Sequence, residues 1–139
     1  MLFDVCASCQ RCCHVFPEEL PLPISLTHIE KKKFGSLCIK EKCRHLSATG
    51  CVKKEKKPFS CKLYPLSFDP VSEKFSYDVE CPLMPAYIDQ LAEPSSEAQR
   101  HLRLMKNEIK NLRKSDAKFL QENHAVDSAY FSLRKLPRQ

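Results

Sequence analysis

The chain has 139 residues, nine cysteines, ten prolines, two glycines, no tryptophan and a formal charge of +6. A chain this short makes one domain, with at most an appendage. Gly35 and Gly50 alone cannot build a P-loop or a G-x-G-x-x-G turn, and no stretch approaches the roughly 20 apolar residues of a spanning helix, so both classes are excluded.

In chain order, the first feature is Cys6-Ala7-Ser8-Cys9-Gln10-Arg11-Cys12-Cys13, a C-x-x-C-x-x-C-C run. Two intervening residues let the chain turn so that successive sulfurs reach one ion. The same spacing opens the bacterial ferredoxin motif, whose remaining ligand is a cysteine followed by proline, as in Cys81-Pro82. Cys12 and Cys13 are adjacent, and because neighbouring side chains usually diverge, both on one ion would be awkward. That favours a polynuclear site, or a cluster beside a structural site, over one zinc held by four thiolates. The first residues, Met1-Leu2-Phe3-Asp4-Val5, place an acid where a secretory leader has a base. Nine is also an odd number for full disulfide pairing. The expected setting is therefore cytoplasmic, where cysteine clusters usually hold metal.

Thr27, with Glu30 three residues on, is a capping box and predicts a short helix over residues 27–34. The run Glu30-Lys31-Lys32-Lys33 reads as its solvated face. Cys38 lies in the apolar stretch Leu37-Cys38-Ile39 and reads as a buried thiol rather than a ligand. Cys43, Cys51, Cys61 and Cys81 join the first four to make eight thiols, enough for two four-thiolate sites. His14 and His45 adjoin cysteines and are secondary candidates, whereas His28, His101 and His124 receive no role. The basic stretch Lys53–Lys57 lacks the aromatic interleaving of single-strand binders and reads as a solvated loop. Residues 63–68 and 74–79 are predicted strands, with Asp69-Pro70 turning the chain between them. The rest of the first 92 residues is expected as loop, which needs a staple, and metal is the available one. No G-x-S-x-G or other nucleophile motif is present.

Composition changes near residues 92–94. Residues 1–99 carry 13 Lys+Arg and 13 Asp+Glu, whereas residues 100–139 carry ten and four, so the whole net charge lies in the second part. This divides the chain into a cysteine-cluster module, 1–92, and a basic helical C-terminal arm, 93–139. Ser95 or Ser96 can cap the arm. Leu91, Ala98, Leu102, Met105, Ile109, Leu112 and Phe119 follow helical spacing and form an apolar seam. Arg100, Arg103, Lys106, Lys110 and Lys114 lie mostly off it. The arm is expected to dock on the module with its basic face solvated; sharper readings are self-association or an anionic partner. From about Ala125 the pattern weakens and the end is expected to fray.

These residues together resemble the YkgJ type of cysteine-cluster proteins, described as zinc- or iron-chelating. The run at 6–13 matches the family's first motif. Pro23-Ile24-Ser25-Leu26-Thr27 with Glu30 matches its helix start. Cys43-Arg44-His45-Leu46 and Gly50-Cys51 match its middle element. Pro58-Phe59-Ser60-Cys61-Lys62-Leu63-Tyr64-Pro65-Leu66 matches its Pro-Cys-Pro box, and Cys81 its late cysteine. The resemblance covers about residues 6–90. Lys57 and Lys62 stand where the family usually has arginines, and a lysine cannot make the planar fork of a guanidinium. The resemblance implies Cys6, Cys9, Cys12, Cys13, Cys43, Cys51, Cys61 and Cys81 as metal ligands. The expected fold is a small, irregular, loop-rich α+β module stabilised by zinc or by iron, a [4Fe–4S] cluster being one form of the latter, with a helical arm. The expected function is metal binding, with no reaction assigned. The alternatives are an iron–sulfur enzyme or subunit modifying a protein, by analogy with flagellin lysine-N-methylase, and a zinc module docking on nucleic acid or protein.

Overall fold

In the computed structural model, which describes residues 22–35, 38–39, 46–47, 50–51 and 57–139, helix α1 (His28–Phe34) starts where the capping box predicts. Thr27 Oγ1 accepts from the Glu30 backbone N–H at 3.2 Å, and the Thr27 N–H donates to Glu30 Oε1 at 3.0 Å. Gly35 ends the helix at φ 72°, a left-handed conformation open to glycine. Strands β1 (Leu22–Pro23) and β2 (Cys38–Ile39) pair antiparallel on either side of α1, with Pro23 opposite Cys38. A second ribbon joins β3 (Leu46–Ser47) to β4 (Gly50–Cys51), with Leu46 opposite Cys51.

The strand predicted from Leu63 begins later, because a helix, α2 (Phe59–Leu63), comes first. Two prolines set its limits. Pro58 has no N–H to satisfy and stands at the helix start, while Pro65 drives Tyr64 into an extended conformation and stops the helix at Leu63. The Tyr64–Pro65 peptide is cis. Strand β5 (Leu66–Asp69) then pairs antiparallel with β6 (Lys74–Asp78), Leu66 opposite Tyr77 and Asp69 opposite Lys74. Asp69 shapes the turn as expected, with Oδ1 accepting from Val71 N at 2.9 Å and Oδ2 from the Ser72 hydroxyl at 3.0 Å. These bonds, the Val71 one first, hold the Asp69 carboxyl below its usual pKa.

Helix α3 (Met84–Gln90) occupies a stretch read as loop. Its proline lies in the first turn, where a missing N–H costs nothing. The C-terminal helix is two helices, α4 (Glu97–Ser115) and α5 (Ala117–Tyr130). Ser96 caps α4, accepting from Gln99 N at 3.2 Å and donating to Gln90 O at 2.7 Å. The seam is borne out: Leu91, Ala98, Leu102, Met105, Ile109 and Phe119 are buried and Leu112 packs against the core. Arg100, Arg103, Lys106, Lys110 and Lys114 are exposed.

The expected fraying does not occur. Helix α5 runs to Tyr130, and strand β7 (Leu133–Lys135) pairs antiparallel with β6, giving the order β5-β6-β7. Leu136 behind it is 2% exposed, which a frayed end would forfeit at roughly 1.5–3 kcal/mol. The fold is thus small α+β, with five helices and a three-stranded sheet among the described residues. Its core joins Phe59, Leu63, Phe75 and Tyr87 to Leu102 and Phe119. No helix among the described residues is long and apolar enough to cross a membrane.

Two carboxylates tie three helix starts together. Glu30 Oε1 serves Thr27, at the start of α1, and Glu30 Oε2 accepts from Phe59 N, at the start of α2, at 2.8 Å. Asp116 Oδ2 accepts from His28 N at 2.8 Å, and its Oδ1 accepts from Phe119 N in α5 at 3.4 Å. Partial burial raises the Asp116 pKa, but the bonds from His28 and Phe119 outweigh it and the carboxyl sits below its usual value. Phe59 and Phe119 meet edge to face at 5.9 Å beside these caps. Each N-cap is worth about 1 kcal/mol, so Glu30→Ala should lower the unfolding free energy by about 2 kcal/mol in urea titration. An unchanged midpoint would show that the shared cap does not hold the fold.

Candidate metal centre

Five of the eight candidate ligands, Cys6, Cys9, Cys12, Cys13 and Cys43, lie outside the described residues, as do His14 and His45. Cys51 is placed in strand β4, and the spectator Cys38 in β2, by backbone pairing. Cys61 and Cys81 are the two candidates with described side chains.

Cys61 lies in the middle of α2 and is partly buried. A five-residue helix has little stability of its own. It is held from outside at both ends. At its start, Phe59 N is capped by Glu30 and the Ser60 hydroxyl donates to Ser25 O at 3.0 Å. At its end, the Lys62 carbonyl accepts from His101 Nε2 at 2.8 Å. A carbonyl can only accept, so Nε2 carries the proton and Nδ1 is the acceptor. The Tyr87 hydroxyl, 2.8 Å away, donates to it. Burial lowers the His101 pKa, against the opposing pull of the Lys62 carbonyl, so the ring is kept neutral. Tyr87 is 0% exposed, and burial raises its pKa beyond reach of ordinary pH.

Cys81 sits in the turn between β6 and α3. Its N–H donates to Asp78 O at 3.2 Å and its carbonyl accepts from Met84 N at 3.1 Å. The residue is 8% exposed and belongs to the apolar core. The register explains how the two cysteines relate. Leu66 pairs with Tyr77, and Asp78 N donates to Pro65 O at 2.9 Å, so the segments carrying Cys61 and Cys81 leave the β5–β6 hairpin at the same end. Thiols are the soft donors that zinc and iron–sulfur clusters take. Among the described residues, no three His, Cys, Asp or Glu side chains converge as a metal site, so these two cysteines are at most part of a donor set.

Sequence reasoning gave His101 and His28 no role, yet each ties distant segments together. His101 lies 39 residues from Lys62 and His28 lies 88 from Asp116. No spacing rule reaches that far. A partial signal existed for His101, which falls next to the apolar seam at Leu102 rather than on the basic face. No family model, no curated protein and no solved structure matches the chain.

Replacing His101 by leucine removes a donor from the Lys62 carbonyl and an acceptor from the Tyr87 hydroxyl. The expected destabilisation is about 3 kcal/mol, read by chemical unfolding. The pH dependence has a definite sign. A histidine with a depressed folded pKa contributes stability that is full above its unfolded value, about 6.5, and is lost as pH falls below it. The difference in stability between wild type and His101→Leu should therefore shrink on acidification below about pH 6.5. A constant difference would contradict a neutral, buried ring.

Proposed function

We propose that the chain is a metal-binding protein of the YkgJ type, whose cysteine cluster holds zinc or iron, the latter including a [4Fe–4S] cluster. The observation that carries this reading is the ordered cysteine pattern: C-x-x-C-x-x-C-C at 6–13, then Cys43, Gly50-Cys51, Cys61 inside its proline-bounded box, and Cys81. Thiolates in this number and spacing suit soft metals and a reducing compartment such as the cytoplasm. Support comes from the hairpin, whose one end carries both Cys61 and Cys81, and from the outside restraints on α2, which fix the backbone of Cys61. Cys6, Cys9, Cys12, Cys13, Cys43 and Cys51 supply the other thiolates on this reading. The metal would contribute binding energy directly to folding. The exposed basic face of α4 is the surface offered to a protein partner or a second copy.

The test is anaerobic purification with metal and sulfide analysis. Zinc alone in a colourless protein supports the zinc form, and equal iron and sulfide in a brown protein supports the cluster. A metal-free protein that also fails to take up cobalt(II) refutes the reading. Cys9→Ser should lose metal and Cys38→Ser should keep it. Equal loss in both would mean that the ligand set is misassigned.

A further inference from the structure

The thiols leave most of the protein's positive charge without a task. Residues 100–115 carry six Lys+Arg and one acid, Glu108. At 3.6 residues per turn, Arg103, Lys106, Lys110 and Lys114 fall within an arc of roughly 80° on α4. They form a row about 16 Å long, at 1.5 Å per residue. Glu108 lies more than about 100° round the axis from each of them. All four bases are exposed.

The row is fixed in place and much of its charge is unspent. On the opposite face Ala98, Leu102, Met105 and Ile109 are buried, so the helix is ordered before any partner arrives. Neighbouring bases are occupied within the chain. Arg113 pairs with Glu73, and Lys118 with Glu122 at 3.7 Å. Nη1 of Arg100 donates to Ser95 O and Nη1 of Arg103 to Pro94 O, which ties both guanidinium groups to the segment before α4. Lys106, Lys110 and Lys114 make no ion pair among the described residues. They stand at an interval of four, so their side chains leave one face about 6 Å apart.

Three observations choose among polyanions. Helix α4 has no Phe, Tyr or Trp on which unstacked bases could stack. The free charges are lysines, compact points without the planar fork that suits phosphate and nucleic acid. Leu104 borders the row and is 54% exposed. One leucine is too little to anchor a helix in a lipid surface. An amphipathic polypeptide covers it while its carboxylates meet the lysines.

We propose that the lysine row of α4 docks an acidic helical segment of a partner protein, with carboxylates at the same four-residue interval and an apolar side chain over Leu104. Two helices lying side by side share one rise per residue, so carboxylates spaced by four stay in register with Lys106, Lys110 and Lys114. Exposed ion pairs are individually weak and screened, so the contact is reversible and sensitive to salt. The inference rests on the reading above in taking α4 as the partner surface, and it needs no metal for its own chemistry.

The test is fluorescence anisotropy with the full chain and a labelled helical peptide bearing glutamate at every fourth residue beside leucines. The peptide should bind at about 50 mM salt and weaken by roughly tenfold or more at about 300 mM. The same peptide with glutamine for glutamate should not bind. Replacing Lys106, Lys110 and Lys114 together by glutamine should weaken binding by roughly tenfold or more. Replacing Lys31, Lys32 and Lys33, an equal charge loss on exposed positions of α1, should change it by less than about twofold. Leu104→Ser should weaken it about threefold. The proposal is overturned by no binding of the glutamate peptide, by equal losses from the two lysine triples, or by an unchanged affinity in Leu104→Ser. Tighter binding of a short DNA duplex or of phosphatidylserine vesicles overturns it equally. Metal content of the same samples reports on the cysteine cluster separately, so either reading can fail alone.

Discussion

The fold depends on the meeting of three helix N-termini at two carboxylates. Each helix start carries unsatisfied N–H groups and a partial positive charge, and three of them close together would repel. Glu30 and Asp116 resolve this by each serving two helices. The consequence is positional. Helix α1 has seven residues and α2 has five, too few to be stable alone. They stand where they do because Glu30 links them and Asp116 anchors α1 to α5, 88 residues away. The aromatic contact of Phe59 and Phe119 packs the start of α2 against that of α5.

That arrangement reaches Cys61 directly. Its helix is fastened at one end by Glu30 and at the other by His101, which is itself held by Tyr87. Side chains from α1, α3 and α4 thus converge on a single short turn of chain. On the proposed metal-binding reading, these groups would orient the Cys61 thiol without being ligands themselves. The basic helix, by contrast, contributes to this only through its inner face. Its charges point outward, and the group that matters on it is a neutral histidine.

Local rules were legible in the sequence, and distant ones were not. Thr27 and Glu30 announced α1 because a capping box is a relation between residues three apart. The seam of α4 was legible for the same reason, as burial of Leu102, Met105 and Ile109 follows a periodicity. The turn at Asp69 needed only its own side chain. Helix α2 lies in residues expected as loop running into a strand at Leu63, although Tyr64 before proline marks a helix end. Strand β7 was missed because its pattern is weak over three residues. It forms because β6 offers an edge and Leu136 a place in the core. The second service of Glu30 and Asp116, and the role of His101, are relations across folded space with no sequence period. Of the candidate ligands, the thiol-rich spacing was the readable part, and what the structure adds is the common end of the hairpin that carries Cys61 and Cys81.

The sheet order has a consequence for how the chain is made. Strand β6 is central, yet its second neighbour lies about 55 residues further along. At ribosomal speeds of about 5–20 residues per second, β6 waits roughly 3–11 s with one edge unpaired. During that interval the β5–β6 hairpin must persist on its own cross-strand contacts, such as Phe68 with Phe75 at 5.2 Å. The Lys74 at its outer end discourages other strands from taking the vacancy. Helices α3, α4 and α5 are synthesised in the meantime, and α5, which packs on β5, can cover the hairpin first. The final strand therefore arrives at an edge that is already backed by a core, and its addition completes the sheet without initiating it.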